Sequence, residues 1–142
     1  MTYKTHLNKL VNFFENVSLQ SVSVIAELYD ANAHFKDPFN EVKGQQAIMK
    51  IFQHMFKQVG SPRFVISQTI QQDADAFIVW DFEFHMKGNT TPQCIHGSSH
   101  IRFNSEGKVI YHRDYWDAAE ELYEKIPVLG NLMRFLKRQA RS

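Results

Sequence analysis

Two polar side chains near the end of the longest β-rich region are spaced for acid–base chemistry. His112 and Asp114 are two residues apart in the run from Lys108 to Trp116. In a strand, residues two apart share a face and lie roughly 6.6 Å apart, so a water or small polar group can bridge them. A structural explanation stays open, because a buried histidine and carboxylate also pair to avoid a cost of about 1–3 kcal/mol.

Metal and thiol chemistry have weaker support. His96 and His100 share a strand face but lie roughly 13 Å apart, too far for one ion with bonds near 2.1 Å. Asp81, Glu83 and His85 belong to a neighbouring strand, and we predict that they form a solvated surface or a subunit contact.

Cys94 is the single cysteine, which excludes an intramolecular disulfide and favours packing as a small apolar residue. There is no glycine-rich phosphate loop. We therefore predict neither a metal site nor a cofactor.

The composition indicates one domain with its own core. The chain has 142 residues, 44% of them hydrophobic, and its net charge of +1 does not favour a nucleic-acid partner. No apolar run is long enough to span a membrane, and the first twenty residues lack the features of a signal peptide. With one cysteine, these features predict a cytoplasmic protein.

The periodicity of apolar residues predicts helices first and strands later. Helical spacing predicts helices over 7–14, 22–29 and 48–59, with a short edge strand over 33–39 between the last two. Four β-rich runs separated by short turns then predict an antiparallel meander, over 64–71, 76–86, 93–103 and 108–116. Three helices packed on a curved meander give an α+β cone that is open at one end.

Strand alternation sorts the side chains onto two faces. In the second strand of the meander, one face is wholly apolar and comprises Ile78, Trp80, Phe82, Phe84 and Met86. In the last strand, alternation groups Ile110, His112, Asp114 and Trp116.

The segment Leu28–Phe39, followed by Gly44 at the start of a helix, resembles the SnoaL-like and ketosteroid-isomerase-like branch of the nuclear-transport-factor-2-like superfamily. Ile101–Phe103, Glu106–Val109 and Tyr115–Trp116 look like the last hairpin of that branch. The resemblance covers roughly residues 5–117 and implies a SnoaL-like domain over 1–117 with a helical extension over 118–142. Because this fold hosts many unrelated reactions, function must be argued from the site.

The resemblance implies that Asp37 is a proton-shuttling base, since ketosteroid isomerases carry an aspartate at this position. An Asp37–Pro38 pair also fits a turn in which the aspartate accepts local backbone hydrogen bonds, and this alternative stays open. The positions that hold the oxyanion in those isomerases look like Phe13 and Ser99. Without strong donors there, steroid isomerisation is disfavoured.

The closing segment His112–Asp117 is similar to the last strand of limonene epoxide hydrolases, so Asp114 resembles their water-activating aspartate. The positions of that family's Arg-x-Asp pair are Trp80 and Phe82 here, which disfavours the same epoxide opening. In the isomerase-like branch the counterpart of Trp116 lines the cavity, which implies that His112 and Asp114 face inward as well.

These residues predict a binding cavity for a small hydrophobic molecule. We expect it to be lined by Phe13, Phe35, Trp80, Phe82, Phe84, Ser99, Ile110 and Trp116. The predicted function is cofactor-free acid–base chemistry on a carbonyl, epoxide or polyketide-like compound, with Asp37 as base and His112 or Asp114 as its partner. The alternative is a non-catalytic carrier or sensor.

The last residues and the reverse sheet face predict contacts with other surfaces. After Pro127, four basic residues alternate with apolar ones, and such a helix either packs on the domain or a partner subunit or, less often, lies on an anionic membrane. The reverse face mixes charged residues with Phe77, Val79, Tyr111 and Tyr115. This mixture suits an interface, and the resembling branch commonly pairs through the outside of its sheet, which implies a homodimer. The alternative is that the helix after Pro127 covers this face within one subunit.

Overall fold

The computed structural model describes residues 3–117 and Glu120. Its helices are α1 (Tyr3–Glu15), a 3-10 turn (Val22–Val24), α2 (Ile25–Leu28) and α3 (Gln45–Gln58). Its strands are β1 (Tyr29–Lys36), β2 (Glu41–Lys43), β3 (Val59–Gln72), β4 (Asp75–Met86), β5 (Gln93–Phe103) and β6 (Val109–Tyr115). The predicted α+β class is confirmed, with a single curved sheet of six strands.

The sheet has the order β2-β1-β6-β5-β4-β3. The meander from β3 to β6 is antiparallel throughout, as predicted, and β1 adds to it in parallel with β6. Two expectations about β1 were wrong. It is an internal strand, because Glu41–Lys43 folds back on it and takes the edge. It also begins at Tyr29, four residues before the predicted start at residue 33. The extended backbone of Tyr29 ends the preceding helix.

The helices close one face of the sheet. Both α1 and α3 have an amphipathic pattern, and their apolar sides supply Leu10, Phe14, Ile48 and Phe52 to the core. From the sheet, alternate residues of β4 are buried in the core, as predicted. Every second residue near the end of β5 is buried there as well. The predicted apolar face therefore points toward the helices.

A β-bulge changes the alternation at the start of β6. Phe103 pairs with Val109 and Arg102 with Tyr111, so Ile110 is an extra residue on β6. Val109 is fully buried, whereas Ile110 is half-buried. The grouping of Ile110 with His112 on one face was therefore wrong, because alternation alone cannot show a bulge.

The Asp117 carboxylate accepts a hydrogen bond from the Glu120 backbone N–H at 3.0 Å. The rest of the predicted extension over 118–142, including its basic residues, lies outside the described residues. Among the helices that the structure describes, none combines the length and hydropathy needed to cross a bilayer.

Candidate functional site

A chain of side-chain hydrogen bonds crosses four neighbouring strands beneath the helices. It runs from Tyr29 Oη to His112 Nδ1 at 2.6 Å and from His112 Nε2 to Asp114 Oδ1 at 2.7 Å. Ser99 Oγ donates to the same Asp114 oxygen at 2.6 Å and accepts from Trp80 Nε1 at 2.8 Å. The polar residues of β6 and β5 are therefore organised around one carboxylate.

The proton positions along these hydrogen bonds follow from Asp114 and Tyr29, the two residues on either side of His112. An ionised Asp114 only accepts, so His112 carries its proton on Nε2 and accepts from Tyr29 on Nδ1. Burial, and to a smaller extent the charge of Asp114, raises the pKa of Tyr29 well above its usual value, which keeps its hydroxyl a donor. Within the described residues Asp114 Oδ2 has no hydrogen-bond partner, so one oxygen of this carboxylate is left for a ligand.

Aromatic rings fix the histidine in place. His112 is 2% exposed, stacks on Tyr29, and meets Phe14 and Phe35 edge-on. Both ring nitrogens are hydrogen-bonded, so His112 orients Asp114 and has no nitrogen left for a ligand.

Asp37 follows β1 in a tight turn. Its Oδ1 accepts hydrogen bonds from the backbone N–H groups of Phe39 and Asn40, at 2.8 and 2.6 Å. The side-chain amide of Asn40 also donates to both carboxylate oxygens at 3.1 Å. The local turn that sequence reasoning left open is thus present, and it holds Asp37 at the cavity.

The environment of Asp37 favours its protonated form. Burial is the largest effect and repulsion from Asp114 the second, and together they raise the pKa of Asp37 to about 6. The hydrogen bonds from Phe39 and Asn40 act in the opposite direction and are outweighed. A carboxyl with this pKa exchanges a proton readily near neutral pH.

Asp37 and Asp114 line the same cavity between α3 and the sheet. Together with the open solvent at its mouth, the cavity spans about 510 Å³, and its wall is mostly aromatic or aliphatic: Phe35, Ile51, Phe52, Met55, Phe64, Trp80, Phe82, Ile95 and Trp116. A deeper pocket shares part of this wall and reaches Ser99 and His112. The deeper part is narrow, with room for about one water molecule.

Most of the predicted residues reach these cavities. Asp37, Phe35, Trp80, Phe82 and Trp116 line the larger cavity, Ser99 and His112 the deeper one, and Asp114 both.

Three predicted lining residues do not reach the described cavities. Phe13 is buried against Phe14, Phe84 stacks on Phe82, and Ile110 is displaced by the bulge. Sequence reasoning also missed Tyr29, which it assigned to a helix, and the α3 residues Ile51, Phe52 and Met55. The helical stripe of α3 was visible in the sequence, but the part of the stripe that borders the cavity depends on packing.

The outer sheet face holds one cluster of metal-ligand types. Asp81, Cys94 and His96 bring an oxygen, a sulfur and a nitrogen within 4.8 Å of one another. His96 Nδ1 is hydrogen-bonded to Asp81 Oδ1, which accounts for the closeness of these two residues without an ion. Sequence reasoning considered Asp81 beside the histidines but did not include Cys94.

The model of the SnoaL-like domain matches residues 10–112, from Leu10 within α1 to His112 of the site. The chain belongs to the SnoaL-like domain family. This membership confirms the resemblance stated from the Leu28–Phe39 segment. No curated protein is similar enough in sequence to match.

Solved structures with the same fold include a nuclear-transport-factor-2-like protein of unknown function from Burkholderia pseudomallei. It has a TM-score of 0.73 and 11% identity, over 87% of this chain and 97% of that one. A candidate polyketide cyclase from Pseudomonas putida has a TM-score of 0.72 and 12% identity, over 87% of this chain and 97% of that one.

A third structure is a protein with a ketosteroid-isomerase-like fold from Catenulispora acidiphila, in complex with trimethylamine. It has a TM-score of 0.69 and 14% identity, over 83% of this chain and 89% of that one. At such identities these likenesses establish the fold, and the chemistry rests on the residues of this SnoaL-like chain.

Proposed function

We propose that this SnoaL-like protein binds a small, largely apolar molecule between α3 and the sheet and performs cofactor-independent acid–base chemistry on it. The observation that carries the proposal is the pair Asp37 and Asp114, two carboxylates in one apolar cavity with different surroundings. Asp37 is the proton acceptor, and Asp114 is the partner that holds the reacting group. Paired titratable groups in unlike environments are typical of acid–base sites.

The two carboxylates differ in what holds them. Asp114 accepts two hydrogen bonds on Oδ1, from Ser99 and His112, which fix the orientation of its carboxylate. Asp37 is held by its own turn, and burial and the neighbouring charge raise its pKa to about 6. Asp37 therefore gains and loses a proton in the physiological range.

The comparisons favour a small ligand with apolar parts. One solved neighbour is a candidate polyketide cyclase, and another was solved in complex with trimethylamine. A cavity for a small ligand with apolar parts is consistent with both. Binding without turnover is the second candidate function. It is favoured by the three hydrogen bonds from Phe39 and Asn40 to Asp37 Oδ1, because they occupy lone pairs that a base needs.

Intrinsic fluorescence tests the binding step. The chain has two tryptophans, and both Trp80 and Trp116 line the cavity, so a ligand that enters it changes their emission. We expect saturable changes with at least some members of a panel of small, largely apolar carbonyls, epoxides and amines. Emission that stays constant across such a panel would contradict a ligand cavity.

Proton exchange tests the chemical step. In D₂O, compounds that bind and carry an acidic C–H should exchange it for deuterium, followed by proton NMR. Asp37→Asn should slow this exchange at least about 100-fold, the usual contribution of a positioned base.

Asp73→Asn is the matched control. Asp73 lies in the β3–β4 turn at positive φ, a conformation that asparagine also adopts. Exchange that is equally fast in Asp37→Asn and wild type would remove Asp37 as the base.

A further inference from the structure

We propose that the cavity selects a ligand with a positive charge, specifically a protonated amine with apolar substituents. This inference rests on the proposed ligand-binding function and adds the chemical class of the ligand. It follows from what the described lining residues can still donate and accept, together with their net charge and their aromatic content.

The donors around the cavity are already used. Trp80 donates to Ser99, and Ser99 and His112 donate to Asp114. Among the lining residues the structure describes, the indole N–H of Trp116, half-buried near the opening, is the one donor left without a partner. A ligand carbonyl or a developing oxyanion would therefore find little to bind it.

Acceptors, in contrast, remain. Asp114 Oδ2 holds no hydrogen bond within the described part of the chain, and Asp37 Oδ2 accepts only the longer bond from Asn40 at 3.1 Å. Charge-assisted hydrogen bonds to a carboxylate are roughly twice as strong as neutral ones. The cavity is thus short of donors and supplied with acceptors, which favours a ligand that donates.

The charge of the lining has the same sign throughout. The described cavity wall contains two carboxylates and no lysine or arginine. Lys36 and Arg113 line an adjoining open groove, which Asp37 and Asp114 also border together with the acidic Asp117. Lys36 Nζ lies 3.7 Å from Glu41 Oε1, and the guanidinium of Arg113 lies over the Tyr115 ring. Both cations therefore have partners among residues that do not line the cavity.

The remaining wall suits the apolar part of such a ligand. Four phenylalanines and both tryptophans line the cavity: Phe35, Phe52, Phe64, Phe82, Trp80 and Trp116. Aromatic rings attract cations, and the contribution grows when the site is shielded from water. Repulsion between Asp37 and Asp114 also falls when a cation lies between them, so ligand binding and ionisation of Asp37 support each other.

Two compounds of the same shape test the charge requirement. 3,3-Dimethylbutan-1-amine is protonated at neutral pH, and 3,3-dimethylbutan-1-ol is its neutral counterpart. Tryptophan emission of the full chain at pH 8 should show the amine binding at least about tenfold more tightly, as expected for one charge-assisted contact. Asp37→Asn should lower the affinity for the amine more than that for the alcohol, while Asp73→Asn should change neither.

Wild-type protein gives a second measurement that needs no variant. Because the pKa of Asp37 is about 6, the preference for the amine should weaken from pH 8 to pH 5 as this carboxylate takes up a proton. His112, Tyr29 and Asp114 are the other titratable groups at the cavity, and Lys36, Arg113 and Asp117 face Asp37 from the groove.

The outcomes separate the two proposals. Equal affinity for amine and alcohol, at every pH, would overturn the charge requirement and leave the binding cavity standing. A preference for the amine that grows toward pH 5 would overturn it too. If neither compound nor any neutral probe changes the emission, the proposed function fails as well.

Discussion

At the residue scale, Asp37 is subject to two opposing influences. Its own turn stabilises the anion through three N–H groups, whereas burial and the charge of Asp114 destabilise it more. The turn residues therefore determine where the carboxylate lies, and the cavity determines when it is charged. A surface Asp–Pro turn would have the first property without the second.

This balance predicts how folding stability depends on pH. The pKa of Asp37 rises from 3.8 in the unfolded chain to about 6 in the fold, so the folded state holds its proton more tightly. The contribution of Asp37 is fully present below pH 3.8 and is lost as the pH rises through 6. Asparagine has no charge to desolvate, so Asp37→Asn should gain stability relative to wild type over this range, on the order of 3 kcal/mol.

Urea unfolding of both proteins at pH 4 and pH 7.5 measures this difference. Other carboxylates, such as Glu41 and Asp75, titrate in both proteins and cancel in the comparison. A difference between variant and wild type that is the same at both pH values would show that Asp37 is not buried with a raised pKa.

At the element scale, β5 holds the site through a residue without a side chain. Gly97 pairs with Trp80, and a methyl group built on it would lie 2.5 Å from the indole ring. Gly97→Ala must therefore push Trp80 away from Ser99 and break the 2.8 Å hydrogen bond between them. We expect a loss of about 1–3 kcal/mol in the free energy of unfolding, the usual cost of overpacking, together with a change in tryptophan emission.

Ser98→Ala is the control for this substitution. Ser98 is the neighbouring residue on β5, pairs with Val79 and Tyr115, and alternates to the outer face. Near-wild-type stability and unchanged emission in Gly97→Ala would show that Trp80 is not held in this position.

The sequence could predict the meander and the facing of its side chains, because alternation is a local signal with period two. It placed His112 and Asp114 together, and the resemblance added Asp37. It could not predict the bulge at Ile110, which depends on strand register, or the strand start at Tyr29, where tertiary pairing outweighs a helical pattern. The three-residue β2 is too short to leave a pattern at all.

At the scale of the whole molecule, the sheet has one face under the helices and one face outside. The inner face carries the cavity, while the outer face of β4 to β6 exposes Phe77 at 41% and Tyr115 at 43%. Phe77 stacks on His100, which is paired with Asp75, and Arg113 lies over Tyr115. Aromatic residues and arginine among charged groups are the composition favoured at subunit interfaces.

We therefore expect a homodimer through this outer face, with symmetry-related contacts. Light scattering at micromolar concentration should give about twice the chain mass of 16.6 kDa. Phe77→Asp should shift the mass toward the monomer, because it places a charge in the middle of the apolar contact. Leu19→Asp is the control, since Leu19 is equally exposed at 41% but lies outside the sheet. A monomeric wild type would contradict the dimer, and a dimer that survives Phe77→Asp would place the interface elsewhere on the molecule.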